Sequence, residues 1–144
     1  IGHLTERSAR YRLERMLAEG IVRIGAVVDP LKLGYTVIAD VFIEVEPGLI
    51  MQVAQQLVRH PQVRYVACST GERDVSIQVI ARSNAEVFTL VTEQVARLPG
   101  VRKTTTSIVP LTLKDVYDWR IPEGVCPQDD AGEGKPSAER LEER

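Results

Sequence analysis

The chain has 144 residues, 44% of them apolar, about one domain with enough apolar mass for a core, and its two cysteines exclude a disulfide framework. A formal charge of −2 argues at first against nucleic acid, but residues 122–144 hold seven acids against three bases. The remainder carries 15 bases and 13 acids, with Arg7, Arg10, Arg12, Arg15 and Arg23 all near the start, so positive charge gathers in one segment.

In chain order, residues 5–19 read as a helix. Thr5 is its N-cap, Ala9, Leu13, Met16 and Leu17 form a stripe expected to be buried, and Gly20 is the stop. Arg7, Arg10, Tyr11, Arg12 and Arg15 lie off that stripe. Residues 21–28 read as a short extended segment that Asp29-Pro30 breaks. Residues 36–45 alternate: Val37, Ala39, Val41, Ile43 and Val45 share one face, and Thr36, Ile38, Asp40, Phe42 and Glu44 the other. Ile38 and Phe42 interrupt that second face, as expected of a sheet that meets another sheet.

An internal repeat follows. Residues 53–64, Val-Ala-Gln-Gln-Leu-Val-Arg-His-Pro-Gln-Val-Arg, recur 38 positions on as Val-Thr-Glu-Gln-Val-Ala-Arg-Leu-Pro-Gly-Val-Arg. Pro47-Gly48 opens the first copy's helix, with Leu49, Ile50, Val53, Ala54, Leu57 and Val58 at helical spacing. Residues 63–70 form the next strand, with Cys68 expected as a small core residue. Gly71-Glu72-Arg73 is a tight turn between two strands expected to be central, and Val75, Ile77, Val79 and Ala81 share one face of the third strand. On the opposite, few-charged face the pattern places Ser76, Gln78 and Ile80, joined by Val66 and Cys68. Ser83-Asn84-Ala85-Glu86 is a capping box before a helix bearing Val87, Phe88, Val91, Val95 and Leu98, and residues 101–109 are the last strand. Strand, helix, strand written twice gives β-α-β-β-α-β, an α+β ferredoxin-like sandwich. Beyond Pro122 the chain is rich in Gly, Pro and Glu, the composition of a disordered acidic tail.

Catalytic and metal-binding patterns are scarce. His3 and His60 have no partner placed by sequence, and Cys68 and Cys126 lack metal-ligand spacing. There is no glycine-rich phosphate loop and no nucleophile elbow, so no cofactor, metal or catalytic residue is assigned. No uncharged run reaches membrane-spanning length and no signal peptide opens the chain, which points to a cytoplasmic protein without a membrane partner.

Thr5-Glu6-Arg7-Ser8-Ala9-Arg10-Tyr11-Arg12-Leu13-Glu14-Arg15-Met16-Leu17 resembles the recognition helix of the Lrp/AsnC family of transcription regulators. Asp29-Pro30-Leu31-Lys32-Leu33-Gly34-Tyr35 is similar to that family's hinge. Pro61-Gln62-Val63-Arg64-Tyr65-Val66 followed by Thr70-Gly71-Glu72-Arg73-Asp74 resembles the centre of its effector domain, and Leu98-Pro99-Gly100-Val101 with Thr104, Thr106 and Ile108-Val109 its last strand. The resemblance runs from residue 1 to about 120, and the tail has no counterpart. It implies a partial helix-turn-helix over 1–22, a linker strand and hinge over 23–34, an effector-binding and oligomerisation domain over 35–120, and the tail over 121–144. The two helices that precede the recognition helix in the family do not occur in these residues, so the chain reads as an N-terminally shortened form. Arg73 stands where the family often has an aromatic residue.

The resemblance implies a transcription regulator that responds to an amino acid and forms dimers assembling into tetramers or octamers. Arg7, Ser8, Tyr11 and Arg12 would face double-stranded DNA, where arginines pair with guanine edges or phosphates and hydroxyls with phosphate oxygens. Ser69, Thr70, Gly71, Arg73 and Asp74, with Thr104 and Thr106, would hold the effector: the turn glycine lets backbone approach a ligand and its amides can hold a carboxylate. Ile38 and Phe42 would form the dimer interface. Two other readings remain at this stage: a stand-alone sensing and oligomerisation module without DNA binding, and an enzyme resembling tetrapyrrole decarboxylases. The second would need histidine and arginine in a deep pocket, and neither histidine lies in a sheet-end loop.

Overall fold

The computed structural model describes residues 5–119, 121 and 122. His3, Cys126 and the acidic stretch from residue 123 onward lie outside the described residues. The chain divides into two units, one ending at Pro110 and a smaller one starting at Leu111.

In the larger unit, helix α1 (Glu6–Ala18) precedes strand β1 (Val37–Val45), helix α2 (Ile50–Val58), strands β2 (Val63–Cys68) and β3 (Val75–Ala81), helix α3 (Asn84–Thr89) and strand β4 (Val101–Val109). The strands form one antiparallel sheet in the order β2-β3-β1-β4, so each repeat copy contributes one central strand and one edge strand. This is the ferredoxin-like arrangement expected from the repeat. Strict alternation along β1 and β3 turns Ala39, Val41, Ile43, Val45, Val75, Ile77, Val79 and Ala81 to the helices, and all eight are buried. Val53, Ala54 and Leu57 of α2 close over one part, and Val87, Leu90, Val91 and Val95 over the other. Every buried side chain among the described residues is apolar.

The helix of the second repeat departs from the expectation. It starts as the capping box predicts: Ser83 Oγ accepts from the Glu86 N–H at 3.2 Å, and Glu86 Oε2 accepts from the Arg82 N–H at 2.8 Å. After Thr89 the coil widens into a π-helical stretch, Leu90–Val95. The inward stripe is Val87, Leu90, Val91 and Val95; Phe88, about 100° round the helix from Val87, is 69% exposed and does not belong to the core. Leu90 is buried without having been expected, and Val58, the last residue of α2, is exposed.

Further corrections concern β2, α1 and the linker. The β2–β3 register shifts between Val63 and Tyr65, after which Tyr65 faces Gln78, Val66 faces Ile77 and Cys68 faces Val75. A one-residue shift exchanges faces. Val66 and Cys68 therefore share the helix side, and Tyr65 and Ala67 join Ser76 and Gln78 on the other. Cys68 is nevertheless exposed, because it ends an edge strand where no helix reaches it. The 69–74 turn accordingly joins an edge strand to a central one. Thr5 caps α1, accepting from the Ser8 N–H at 3.3 Å, but no residue of α1 is buried. The stripe Ala9, Leu13 and Leu17 is exposed, because no described element lies over it. Residues 21–28 form no strand, having no strand among the described residues to pair with. Asp29 caps a short 3₁₀ turn, Pro30–Leu33, through the Leu31 N–H at 2.9 Å, and Gly34 leaves it at φ +85°.

In the smaller unit a 3₁₀ turn, Val116–Asp118, is closed by reciprocal bonds: the Asp115 N–H donates to Asp118 Oδ2 and the Asp118 N–H to the Asp115 carbonyl, each at 3.0 Å.

Candidate functional site

On the sheet face away from the helices, Ile38, Asp40, Phe42 and Glu44 of β1 lie beside Ser76, Gln78 and Ile80 of β3 and Lys103, Thr105, Ser107 and Val109 of β4. Ile38, Phe42 and Ile80 remain half-buried. The charged strand residues here are paired: Gln78 Nε2 donates to Asp40 Oδ1 at 2.8 Å and Lys103 Nζ to Glu44 Oε1 at 3.1 Å. The turn reaches this face through Arg73, whose guanidinium carbon lies 4.2 Å from the Phe42 ring centroid.

Asp74 has a structural task that its sequence position did not reveal. Its N–H donates to the Ile43 carbonyl at 3.0 Å, continuing the β1–β3 ladder one step past Val75. The next N–H on that edge of β1 belongs to Val45 and has no strand carbonyl opposite. Asp74 Oδ2 accepts from it at 2.7 Å, and Arg102 stands 3.9 Å from the same oxygen. A hydrogen bond from a buried amide to a charged group contributes about 1.5–3 kcal/mol, so this carboxylate helps hold β1, β3 and β4 together at their common end. Ser69 closes the turn, its N–H bonding to the Asp74 carbonyl at 2.9 Å and its Oγ donating to the Arg73 carbonyl. Gly71, at φ +143°, has open space where a Cβ would stand, and Thr70 is exposed beside it.

The residues expected to hold an effector are only partly brought together. Thr104 and Thr106 pair with Ile43 and Val41, which places them on the helix side of edge strand β4. Arg73 lies on the opposite side, over Phe42. Thr104 shares its row across β1 with Val75, the neighbour of Asp74, two inter-strand spacings or about 10 Å away; Thr106 is farther along.

On α1, Arg10 is engaged with Glu6 at 3.0 Å and Arg15 with Glu19 at 2.7 Å. Glu19's hydrogen bond, and then its charge, raises the Arg15 guanidinium above its ordinary value. Arg7 and Arg12 have no such partner among the described residues. With Ser8 and Tyr11 they span roughly 140° of the helix surface at 100° per residue.

Sequence reading missed one further site. At the far end of the sheet a cleft of about 530 Å³ lies between the hinge, the start of β2 and the first turns of α3, lined by Tyr35, Gln62, Arg82, Glu86, Leu90 and Gln94 among others. His60, without a partner in the sequence, bonds Gln94 Oε1 through Nε2 at 2.7 Å and accepts from the Gln62 N–H at 3.3 Å. The capping box marked Glu86 as a helix start only, and nothing local connects Tyr35 with Arg82. Among the described residues no group of three His, Cys, Asp or Glu side chains could hold a metal ion, and no helix is long and apolar enough to cross a membrane.

The Lrp/AsnC ligand binding domain matches residues 38–118. An uncharacterised HTH-type transcriptional regulator of Pyrococcus abyssi is 33% identical over 118 residues, 81% of this chain and 72% of the relative. The HTH-type transcriptional regulator FL11 of Pyrococcus furiosus is 31% identical over 107 residues, 74% of this chain and 70% of its own. Among solved structures, AsnC of E. coli has a TM-score of 0.73 at 21% identity, covering 78% of this chain and 76% of that one. A transcriptional regulator of Neisseria meningitidis, solved as a complex with L-Met, has a TM-score of 0.75 at 19% identity, covering 81% and 78%. The two structures bear on the fold, which they share with this chain. The sequence relatives are regulators and not enzymes, which removes the tetrapyrrole-decarboxylase reading. With its repeat, its sheet order and the match over 38–118, the chain belongs to the Lrp/AsnC family of transcriptional regulators.

Proposed function

We propose that this chain is a cytoplasmic DNA-binding regulator that senses an amino acid at the 69–74 turn and dimerises through the open sheet face, the dimers assembling further to tetramers or octamers. The observation that carries the reading is the Arg73–Phe42 contact at 4.2 Å, which joins the turn to the face proposed for assembly. An exposed contact of this kind is worth about 0.5–1 kcal/mol, less than the roughly 1.5–3 kcal/mol available from burying each of Ile38 and Phe42. A partner sheet or a ligand carboxylate can therefore redirect Arg73, and occupancy of the turn is felt at the interface. Gly71 leaves room for a ligand beside Thr70 and Arg73, and Asp74 keeps Oδ1 for an ammonium group. The L-Met complex of the Neisseria meningitidis regulator supports an amino acid as the ligand class.

On α1, Arg7 and Arg12 are the cations not engaged by a neighbouring glutamate, and with Ser8 and Tyr11 they form the surface proposed to meet double-stranded DNA. The product of the whole gene should bind genomic fragments with a steep salt dependence, weakened by Arg12→Ala. A whole-gene product with no salt-sensitive binding to any fragment in a selection would leave the sensing module alone.

For the effector, a thermal-shift screen of the twenty amino acids should find one that raises the unfolding temperature, because a ligand of the folded state stabilises it. The shift should vanish in Arg73→Ala and in Asp74→Asn. A shift that survives loss of both side chains removes the turn from the proposal.

A further inference from the structure

The cleft at the hinge end is assigned no role by the turn or the sheet face. Its Arg82 lies eight residues along the chain from Asp74, past the whole of β3, about 26 Å at the rise of a strand. Its frame is fixed by bonds to main-chain carbonyls: the Thr36 hydroxyl donates to the Arg82 carbonyl at 3.1 Å, and the Ile80 N–H donates to the Gln62 carbonyl at 2.9 Å. The π-helical stretch contributes Leu90 and Gln94 to one wall, and the His60 bond holds the Gln94 amide in place. Wide turns of this kind occur mostly as single insertions and often at functional sites.

Two opposite charges face this space with capacity to spare. The Arg82 guanidinium lies 5.4 Å from the Tyr35 ring centroid and makes no hydrogen bond or ion pair among the described residues, leaving its fork of donors open. Glu86 uses Oε2 for the Arg82 N–H at 2.8 Å and for Gln62 Nε2 at 3.5 Å, and keeps Oε1. The Tyr35 ring supplies apolar surface near them.

We propose that this cleft is a second ligand site, for a free α-amino acid, with its carboxylate on the Arg82 fork and its ammonium on Glu86. Guanidinium matches a carboxylate through two parallel hydrogen bonds, and a cation and an anion lining one cleft select a zwitterion over a simple acid or amine. Tyr35 belongs to the hinge, its N–H bonding the Pro30 carbonyl at 3.0 Å, so a ligand on Arg82 rests against the segment that leads back to α1.

Titration calorimetry of the full chain with each of the twenty amino acids tests this, using variants that separate the two sites. Binding of at least one should weaken tenfold or more in Arg82→Ala and less in Arg82→Lys, which keeps the charge but loses the fork. Glu86→Gln retains an acceptor for the Arg82 N–H and should weaken the same ligand several-fold. Arg73→Ala should leave this binding unchanged. Circular dichroism checks that each variant is folded, and Arg82, being exposed, is replaceable without loss of core. If no amino acid binds, or if all binding survives Arg82→Ala, the proposal is overturned. Binding lost in Arg73→Ala but untouched in Arg82→Ala leaves the turn reading standing and ends this one; the reverse result does the opposite.

Discussion

On the helix side of the sheet Val41, Ile43, Val75, Ile77 and Val79 are wholly withdrawn from water; on the other side Ile38, Phe42 and Ile80 stay half-buried. The same two central strands supply both sets, so β propensity does not separate them. Neighbours do. Helices α2 and α3 close the first face with apolar side chains alone, whereas the second mixes its apolar residues with polar groups already matched: Asp40 with Gln78, Glu44 with Lys103, Arg73 over Phe42. A face of that kind keeps indiscriminate association down while leaving apolar area for a specific partner. The difference teaches which face the chain closes itself and which it leaves open, the face proposed above to meet a second copy.

The largest expected effect breaks the covered face. Ile77→Asp puts an unpaired carboxylate among Val41, Val79 and the α2 side chains, a cost of several kcal/mol set against the roughly 5–15 kcal/mol that hold a domain folded. No cooperative thermal transition should remain by circular dichroism. The same change on the other face should act differently: Phe42→Asp should keep the spectrum and a cooperative transition, and sediment as a monomer. An unchanged folded oligomer in Phe42→Asp would take the open face out of the assembly.

The covered face was legible because strict alternation in β1 and β3 survives any local irregularity. Legibility failed at an irregular edge strand and on one helix face. The register shift at Val63 and Tyr65 exchanged the faces of Val66 and Cys68, and on the second repeat's helix Leu90, three residues on from Val87, takes the inward place where Phe88 was expected. Neither has a local sequence signature of the strength of the Ser83–Glu86 capping box. In the candidate sites, the turn and the α1 arginines were visible as local motifs. The engagement of Asp74 with the Val45 N–H and the meeting of Tyr35 with Arg82 were not, since each depends on strands distant in the chain.

A smaller effect tests how tightly the covered face is closed at its corner. Gly100 has φ +91°, and a Cβ there would stand 2.6 Å from Leu49 Cδ1 and 3.0 Å from its Cβ. Leu49 packs against the core, so it cannot swing away freely. Gly100→Ala should cost about 1–3 kcal/mol from the left-handed backbone and the crowding together. Tm should fall by roughly 4–8 °C for each kcal/mol, with the oligomer intact.

The smallest effect separates the centre of the open face from its margin. Asp40 and Gln78 face each other across β1 and β3, both half-buried; Glu44 and Lys103 face each other across β1 and β4, with the lysine side chain 66% exposed. Double-mutant cycles to alanine should give about 0–0.5 kcal/mol for the Glu44–Lys103 pair, declining with added salt, as for exposed ion pairs in general. For Asp40–Gln78 the coupling should be about 0.5–1 kcal/mol in dilute protein and larger where the protein is assembled. Covering the face removes competing water from a bond to a charged acceptor, and such bonds are worth about 1.5–3 kcal/mol when protected. The measurement is chemical denaturation at two protein concentrations on either side of the association midpoint. Equal couplings for the two pairs, unchanged by concentration, would show that water reaches Asp40 as freely in the assembly as in the single chain, and the interface would have to lie elsewhere.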